Sequence, residues 1–356
     1  MNSLDETTTF PRIDPQNMLA QIEGLPDQLH AAWTLGSSLP LPPWQGIRQV
    51  VIAGMGGSAI GADLLLGFVE PTCSAPVLLH RDYSLPAWAH GPETLVLASS
   101  HSGNTEETLS AFQQALEQGC HTLAVCTGGE LAQAAIKAGV PLWHFEHRGQ
   151  PRAAVGYSFG LLLAAFTRLN LIPDPASEIQ AAVAAMKAQQ THLNAETTVV
   201  KNPAKRIAGQ LMGRWVTVFG AGKLAPVARR WKGQINELAK AWAQFDFLPE
   251  GDHNTLAGIL SPQEVLPRMV ALFLRSATDH PRHRLRLDLT RKSFMLEGIN
   301  TDFIDAQGDS PLANQWTMLH FGDYTAYYLA MAYGVDPTPV ETIEAFKKEM
   351  LVASAR

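Results

Sequence analysis

The chain has 356 residues, 46% hydrophobic and 17% charged, which supplies core for two domains and excludes a disordered chain. With 27 Lys and Arg against 33 Asp and Glu the formal net charge is −6, and no basic face for nucleic acid emerges. The longest apolar stretch, Phe159 to Phe166, is too short for a bilayer, which takes about 20 residues, and the N-terminus carries no charged-then-apolar signal. Cys73, Cys120 and Cys126 are scattered without a CxxC pair and fit reduced thiols, not a disulfide frame or zinc knuckle. A cytoplasmic protein with no membrane or nucleic-acid partner is expected.

Residues 1–45 are polar and then proline-rich (Pro40, Pro42, Pro43), with a helix expected over Asn17 to Leu35. Gln49 to Ala53 reads as the first strand, and Gly54-Met55-Gly56-Gly57-Ser58 opens a helix running to about Phe68. Strands follow at Val77 to His80, around Leu95 to Ala98, and at His121 to Cys126. Helices run to Gln118, stopped by Gly119, and from Glu130; the short run Pro141 to Phe145 continues the alternation. Strands alternating with helices imply a parallel, doubly wound sheet. The Ala- and Gln-rich stretch from Pro175 to about Val200 connects to a second alternating half. There a helix is expected near Lys201 to Met212, a strand at Trp215 to Phe219, a Gly220-Ala221-Gly222 turn and a helix over Leu224 to Ala241. Met269 to Leu274 and Asp302 to Asp305 read as strands, Leu312 to Tyr333 as a long helix stopped by Gly334, and a final helix ends the chain. The expected division is an extension (1–45), a first domain (46–175), a linker helix (176–200), a second domain (201–335) and a C-terminal helix (336–356).

The stretch Thr94 to Thr108 carries the strongest chemical signal: a buried strand, a hydroxyl- and glycine-rich turn, then a helix start. Asn104 is placed to cap that helix, with Glu107 completing a capping-box-like pattern. Free amides at a helix start and the positive end of its dipole attract an anion. Ser100, Ser102 and Thr105 add hydroxyl donors around Gly103, so the inferred ligand is a phosphate. An ordinary capped junction would use some of the same residues. Glu106 and Glu107 oppose a dianion unless they point away. The other glycine turn resembles a dinucleotide loop, but no acidic residue ends the next strand, and Ser58 instead offers a hydroxyl and amide to an anion. Ligands of such sheets bind beyond the carboxyl ends of the strands, so both turns can face one pocket.

Arg152 stands where a loop enters an apolar helix. A solvated helix start is the ordinary reading, yet acidic residues are favoured there, and that mismatch makes Arg152 a candidate partner for an anion or enolate. Glu237 lies beside an apolar stripe of Trp231, Ile235, Leu238 and Trp242; most helical glutamates are solvated, but partial burial suits this one to proton abstraction. His253, flanked by Asp252 and Asn254, is either incidental or held in one tautomer as an acid–base group. The basic run His280, Arg282, His283, Arg284, Arg286 reads as a solvated edge. No ligand spacing indicates a metal.

Together these residues resemble the sugar isomerase (SIS) domain, and more closely the bifunctional phosphoglucose/phosphomannose isomerase family, which carries two such domains. Gly56-Gly57-Ser58, Ser100 to Thr105, and Pro151-Arg152 before Gly156-Tyr157 carry the match in the first half. Asn236-Glu237, His253-Asn254, and Gly334 to Pro337 leading to Lys347 carry it beyond. The resemblance implies α/β architecture in two flavodoxin-like doubly wound parallel-sheet SIS domains (three-layer αβα), usually a homodimer. It implies cofactor- and metal-free interconversion of fructose 6-phosphate with glucose 6-phosphate and mannose 6-phosphate. Gly56, Gly57, Ser58, Ser100, Ser102 and Thr105 would then bind the sugar phosphate. Glu237 would move the proton between C1 and C2, and Arg152 would stabilise the cis-enediolate. His253, from the partner subunit in this reading, and Lys347, with Lys348 adjacent, would assist ring opening. His101 stands where the family commonly has an aromatic residue. The alternatives are a non-catalytic sugar-phosphate sensor, an isomerase for another sugar phosphate, and the isomerase half of glucosamine-6-phosphate synthase. No basic helix-turn-helix precedes residue 45 and no glutaminase domain with an N-terminal cysteine is present, which weighs against the first and last.

Overall fold

The computed structural model describes residues 3–354. In chain order the first half comprises α1 (Phe10–Ile13), α2 (Met18–Glu23), α3 (Leu25–Ser38), β1 (Gln49–Ala53), α4 (Gly56–Val69), β2 (Val77–His80), β3 (Thr94–Ser100), α5 (Glu106–Glu117), β4 (His121–Cys126), α6 (Gly129–Ala138), β5 (Leu142–His144) and α7 (Val155–Arg168). Then follow α8 (Ala176–Leu193), α9 (Pro203–Leu211), β6 (Trp215–Ala221), α10 (Ala225–Leu238), β7 (Ala243–Leu248), β8 (Met269–Arg275), α11 (Pro281–Leu296), β9 (Asn300–Asp305), α12 (Pro311–Tyr333) and α13 (Glu341–Ser354).

Both sheets are fully parallel. The first has the order β2-β1-β3-β4-β5 and the second β7-β6-β8-β9, which is the same winding less one strand. The chain reverses direction across each sheet between the first and third strands, β1/β3 in one and β6/β8 in the other, which is where such sheets bind ligands. The period-two alternation of a strand decides which layer each side chain enters. Val50, Ile52, Leu95 and Leu97 face a large inner core with α4, α7, α10 and α12, while Val51, Ala53 and Val96 face Ala111 and Ala115 of α5. In the second sheet Val216, Val218 and Leu272 join the inner core, and Phe219 and Phe273 pack outward on Leu287 and Phe294 of α11. Each of the fully buried Val, Leu, Ile and Phe side chains among these stabilises the fold by about 1.5–3 kcal/mol.

α10, the helix that carries Glu237, buries Val227, Trp231, Ile235 and Leu238 at helical spacing, and the Trp231 indole donates to the Met318 carbonyl at 2.9 Å. Trp242 lies outside the helix and meets Trp215 edge-on with centroids 5.4 Å apart. The halves are clamped by α4 against α10. Asp63 pairs with Arg229 at 3.0 Å, and Gly67 lies against Pro226, so the two helices run antiparallel. No helix among the described residues is long and apolar enough to cross a membrane.

Three sequence expectations are corrected. The expected helix over Asn17 to Leu35 is two, with Asn17 as N-cap of α2 and Pro26 in the first turn of α3. Gly220 and Ala221 belong to β6, leaving Gly222 as the turn. Ala243–Leu248, unrecognised in the sequence, is edge strand β7, whose neighbouring stretch ends the helix at Leu238 instead of Ala241. The basic run His280 to Arg286 is a largely solvated edge, as expected, and opens α11, where Arg286 bonds Asp252 at 2.6 Å.

Candidate active site

The turn after β3 is built from hydroxyls. Ser100 Oγ accepts from the Gly103 amide at 3.1 Å and lies 2.9 Å from Thr105 Oγ1, while Ser102 Oγ accepts from the Asn104 amide. α5 begins with Thr105 as N-cap and no side-chain cap, so its first-turn amides stay available, as the phosphate reading requires. Asn104 does not cap α5, contrary to expectation. Its Oδ1 accepts from the Glu130 amide at 2.9 Å and caps α6, locking the turn to the neighbouring loop. Glu106 turns aside to take the Tyr83 hydroxyl at 3.1 Å.

The turn after β1 closes on the same place, because Ser58 Oγ accepts from the His101 amide at 3.0 Å. Gly56 holds a φ of +51°, which a side chain resists. Gly57 is required by close approach: a Cβ there would sit 2.6 Å from the Pro151 carbonyl and 3.0 Å from the Arg152 amide. Gly57, Ser58, His101, Pro151 and Phe145 line one small cavity at this junction. His101 Nε2 and His147 Nδ1 lie 3.0 Å apart, and burial, then the charge of His147, holds the His101 imidazolium down to about 4.

Arg152 is 3% exposed. Its Nη1 lies 3.4 Å from Glu237 Oε2, and its Nη2 donates to the carbonyls of Pro337 at 2.8 Å and Thr338 at 2.5 Å. Nε is buried without a partner. Burial lowers the guanidinium pKa, and the Glu237 charge opposes that shift. Beneath it, Arg230 grips Asp323 with two bonds of 3.1 and 2.8 Å and donates to the Arg152 carbonyl at 2.7 Å. The two turns, the buried Arg152 and Glu237 are thus linked by contacts across the halves, and Glu237 brings them to the surface. Glu237 is about one-third exposed and lines a cleft of about 580 Å³ with Lys240, Asp336 and Glu341.

Two expected residues are not brought to this surface. Glu237 lies before β7 and His253 after it, so the strand, roughly 20 Å at 3.3 Å per residue, separates them. His253 is exposed, and its neighbours do not fix its ring: Asp252 bonds Arg286 and Thr290, and Asn254 bonds Glu250. Lys347 stands on exposed α13, about 9 Å along the helix from Glu341, which is at the cleft. The sequence reading missed Lys240, the Arg230–Asp323 pair and His147. Lys240 gave a partial signal, since a lysine three residues after a candidate base on a helix end shares its surroundings. Among the described residues no three His, Cys, Asp or Glu side chains gather as metal ligands would.

Two flavodoxin-like sheets, joined by an arginine and a glutamate beside a serine turn, define a two-domain protein of the sugar isomerase (SIS) class. A model of the bacterial phospho-glucose isomerase C-terminal SIS domain matches residues 200–350. A bifunctional phosphoglucose/phosphomannose isomerase of Caldicellulosiruptor bescii is 38% identical over 94% of this chain and 98% of its own. Its counterpart in Aquifex aeolicus is 35% identical over 87% and 92%. A glucose-6-phosphate isomerase like protein from Thermus thermophilus superposes with a TM-score of 0.64 at 21% identity, covering 95% of this chain and 98% of that one, which speaks for the fold. The chain belongs to the bifunctional phosphoglucose/phosphomannose isomerase family.

Proposed function

We propose that the protein, a sugar-phosphate isomerase by family, interconverts fructose 6-phosphate with glucose 6-phosphate and mannose 6-phosphate through a cis-enediolate. The observation that carries the reading is the buried Arg152, with one nitrogen on Glu237 and Nε left without a partner. Moving hydrogen between adjacent carbons needs one carboxylate that takes and returns the same proton, the role of Glu237. The enediolate needs a fixed cation, since its charge develops only near the transition state, and Arg152 supplies it without reorganising. C2 loses its configuration in the enediol, so one intermediate serves both aldoses. Ser58, Ser100, Ser102, Thr105 and the amides after Gly56 and Gly57 hold the phosphate.

The separation of His253 from Glu237 supports a homodimer in which the partner's copy of this residue completes the site. Lys347 on exposed α13 acts in ring opening in the same assembly. We place this dimer in the cytoplasm. The test is a coupled assay on glucose 6-phosphate and mannose 6-phosphate separately, read as fructose 6-phosphate formed, with Glu237→Gln beside the wild type. Product from both, and loss of at least 100-fold in the variant with sugar-phosphate binding kept, supports the reading. Product from neither overturns it. Variant activity within threefold of wild type removes Glu237 as the base.

A further inference from the structure

Arg230 and Asp323 are buried and do not line the cleft beside Glu237. Arg230 stands on α10 two turns before Glu237, so both side chains leave the same face of one helix. Its guanidinium is a fork with two targets. Nε and Nη2 donate to the two carboxylate oxygens of Asp323 on α12, at 3.1 and 2.8 Å, and Nη2 also donates to the Arg152 carbonyl at 2.7 Å. That carbonyl belongs to the short turn Pro151–Ala154 of the first half, whose next carbonyl, of Ala153, accepts from Gln28 Nε2 on α3 at 2.9 Å. One side of the turn is thus tied within the first half, and the other to the helix that carries the base.

Resting on the isomerase reading, we propose that Arg230 and Asp323 are positioning residues for the reaction, which set the place of Arg152 against Glu237. Arg152 and Glu237 come from different halves and meet at 3.4 Å, so a small shift of one half against the other changes the contact. Arg230 removes that freedom: it ties the backbone of Arg152 to α10, about 10 Å along the helix axis from Glu237. Asp323 holds the guanidinium in its plane and supplies the counter-charge that a buried arginine needs beside Arg152. The consequence falls on the transition state. The enediolate charge that Arg152 meets develops only there, so a displaced Arg152 slows turnover while ground-state binding through the serine turns is kept.

Steady-state kinetics with chemical rescue test this. Arg230→Lys keeps a cation on Asp323 but cannot also hold the Arg152 carbonyl in a fork, and its kcat is expected to fall at least about tenfold. KM and the dissociation constant for glucose 6-phosphate are expected to stay within threefold. Arg230→Ala is expected to lose about 100-fold in kcat. Ethylguanidinium, which fits the space vacated by the side chain, is expected to raise that kcat at least tenfold with saturation. Ethylammonium, equal in charge but without the fork, is expected not to. Arg230→Lys carries the test if Arg230→Ala does not fold. The proposal is overturned if kcat per folded molecule of Arg230→Lys stays within threefold of wild type, the result of a pair that only stabilises the fold. It is overturned equally if KM rises as far as kcat falls, if ethylguanidinium restores nothing, or if ethylammonium restores as much. Wild-type protein that isomerises neither hexose phosphate would instead overturn the isomerase reading.

Discussion

The two sheets turn at the same point of their windings, and the comparison shows how one turn stays open while the other fills itself. After β1 the chain reads Gly54-Met55-Gly56-Gly57-Ser58, and across the end of β6 it reads Gly220-Ala221-Gly222-Lys223-Leu224; Gly56 and Gly222 both hold a φ of +51°. From the last residue of β3 it reads Ser100-His101-Ser102-Gly103, and after β8 Ser276-Ala277-Thr278-Asp279. The hydroxyl-x-hydroxyl pattern recurs, but a lysine replaces Gly57 and an aspartate stands where Gly103 does. Lys223 Nζ lies 3.4 Å from Asp279 Oδ1, and Asp279 Oδ2 accepts from the Ser276 amide at 2.7 Å. Thr278 Oγ1 and Ser276 Oγ both turn to Asn314 Oδ1, at 3.1 and 2.5 Å. The second turn thus carries its own anion and its own counter-ion. Because α4 and α10 run antiparallel, the open turn adjoins the end of α10 that bears Glu237, and the filled turn adjoins the far end of α4.

Converting the open turn into the filled one gives the largest expected effect. Gly57→Lys places a side chain against the Pro151 carbonyl and the cradle that holds Arg152. A displacement of about 1 Å can cost about 100-fold, so isomerase kcat/KM is expected to fall by at least about that factor. Near-wild-type turnover would show that the cradle is not part of the site. The converse change, Asp279→Ala, leaves Lys223, only 12% exposed, without its carboxylate. Removing one partner of a buried pair costs about 3 kcal/mol, read as a lower denaturant midpoint, with isomerase activity of the folded protein kept. Phosphate should restore more stability to this variant than to wild type, since it can replace the lost carboxylate. A third contrast is smaller. Ser100→Ala is expected to raise KM about tenfold through the loss of one bond to a charged group, whereas Ser276→Ala leaves KM unchanged and costs about 1 kcal/mol of stability.

This contrast marks what could be read from residues alone. The serine turn, Arg152 and Glu237 were legible because their types are unusual for their positions, and both sheets were legible from apolar runs between glycines. β7 was missed because Gln244 and Asp246 interrupt its apolar pattern on an edge strand, where one face is half-solvated. Asn104 misled because a cap signal does not say which helix start it serves, and here the helix lies across the turn. The Arg152–Glu237 contact spans 85 positions and the pairing with Pro337 185, so nothing in local spacing announces either. Lys240 escaped for a different reason: its left-handed φ of +54°, not its type, is what distinguishes it.

The smallest expected effect separates the turns by pH. His101 has no counterpart in the second turn, where Ala277 stands. Its folded-state pKa, near 4, lies below the usual 6.5 because burial and then the charge of His147 disfavour the cation. A depressed histidine contributes its full stability above pH 6.5, and that contribution is lost as pH falls from there towards 4, because the unfolded chain binds the proton first. The contact is partly exposed, so solvent screening leaves roughly 1 kcal/mol between pH 7.5 and 5. His101→Phe keeps a ring edge against Phe145, now 6.0 Å between centroids, but cannot titrate. Its denaturant midpoint should therefore fall less than that of wild type over the same pH step. An equal fall in both proteins would assign the pH dependence to other groups, such as buried His320, which burial also holds near 4.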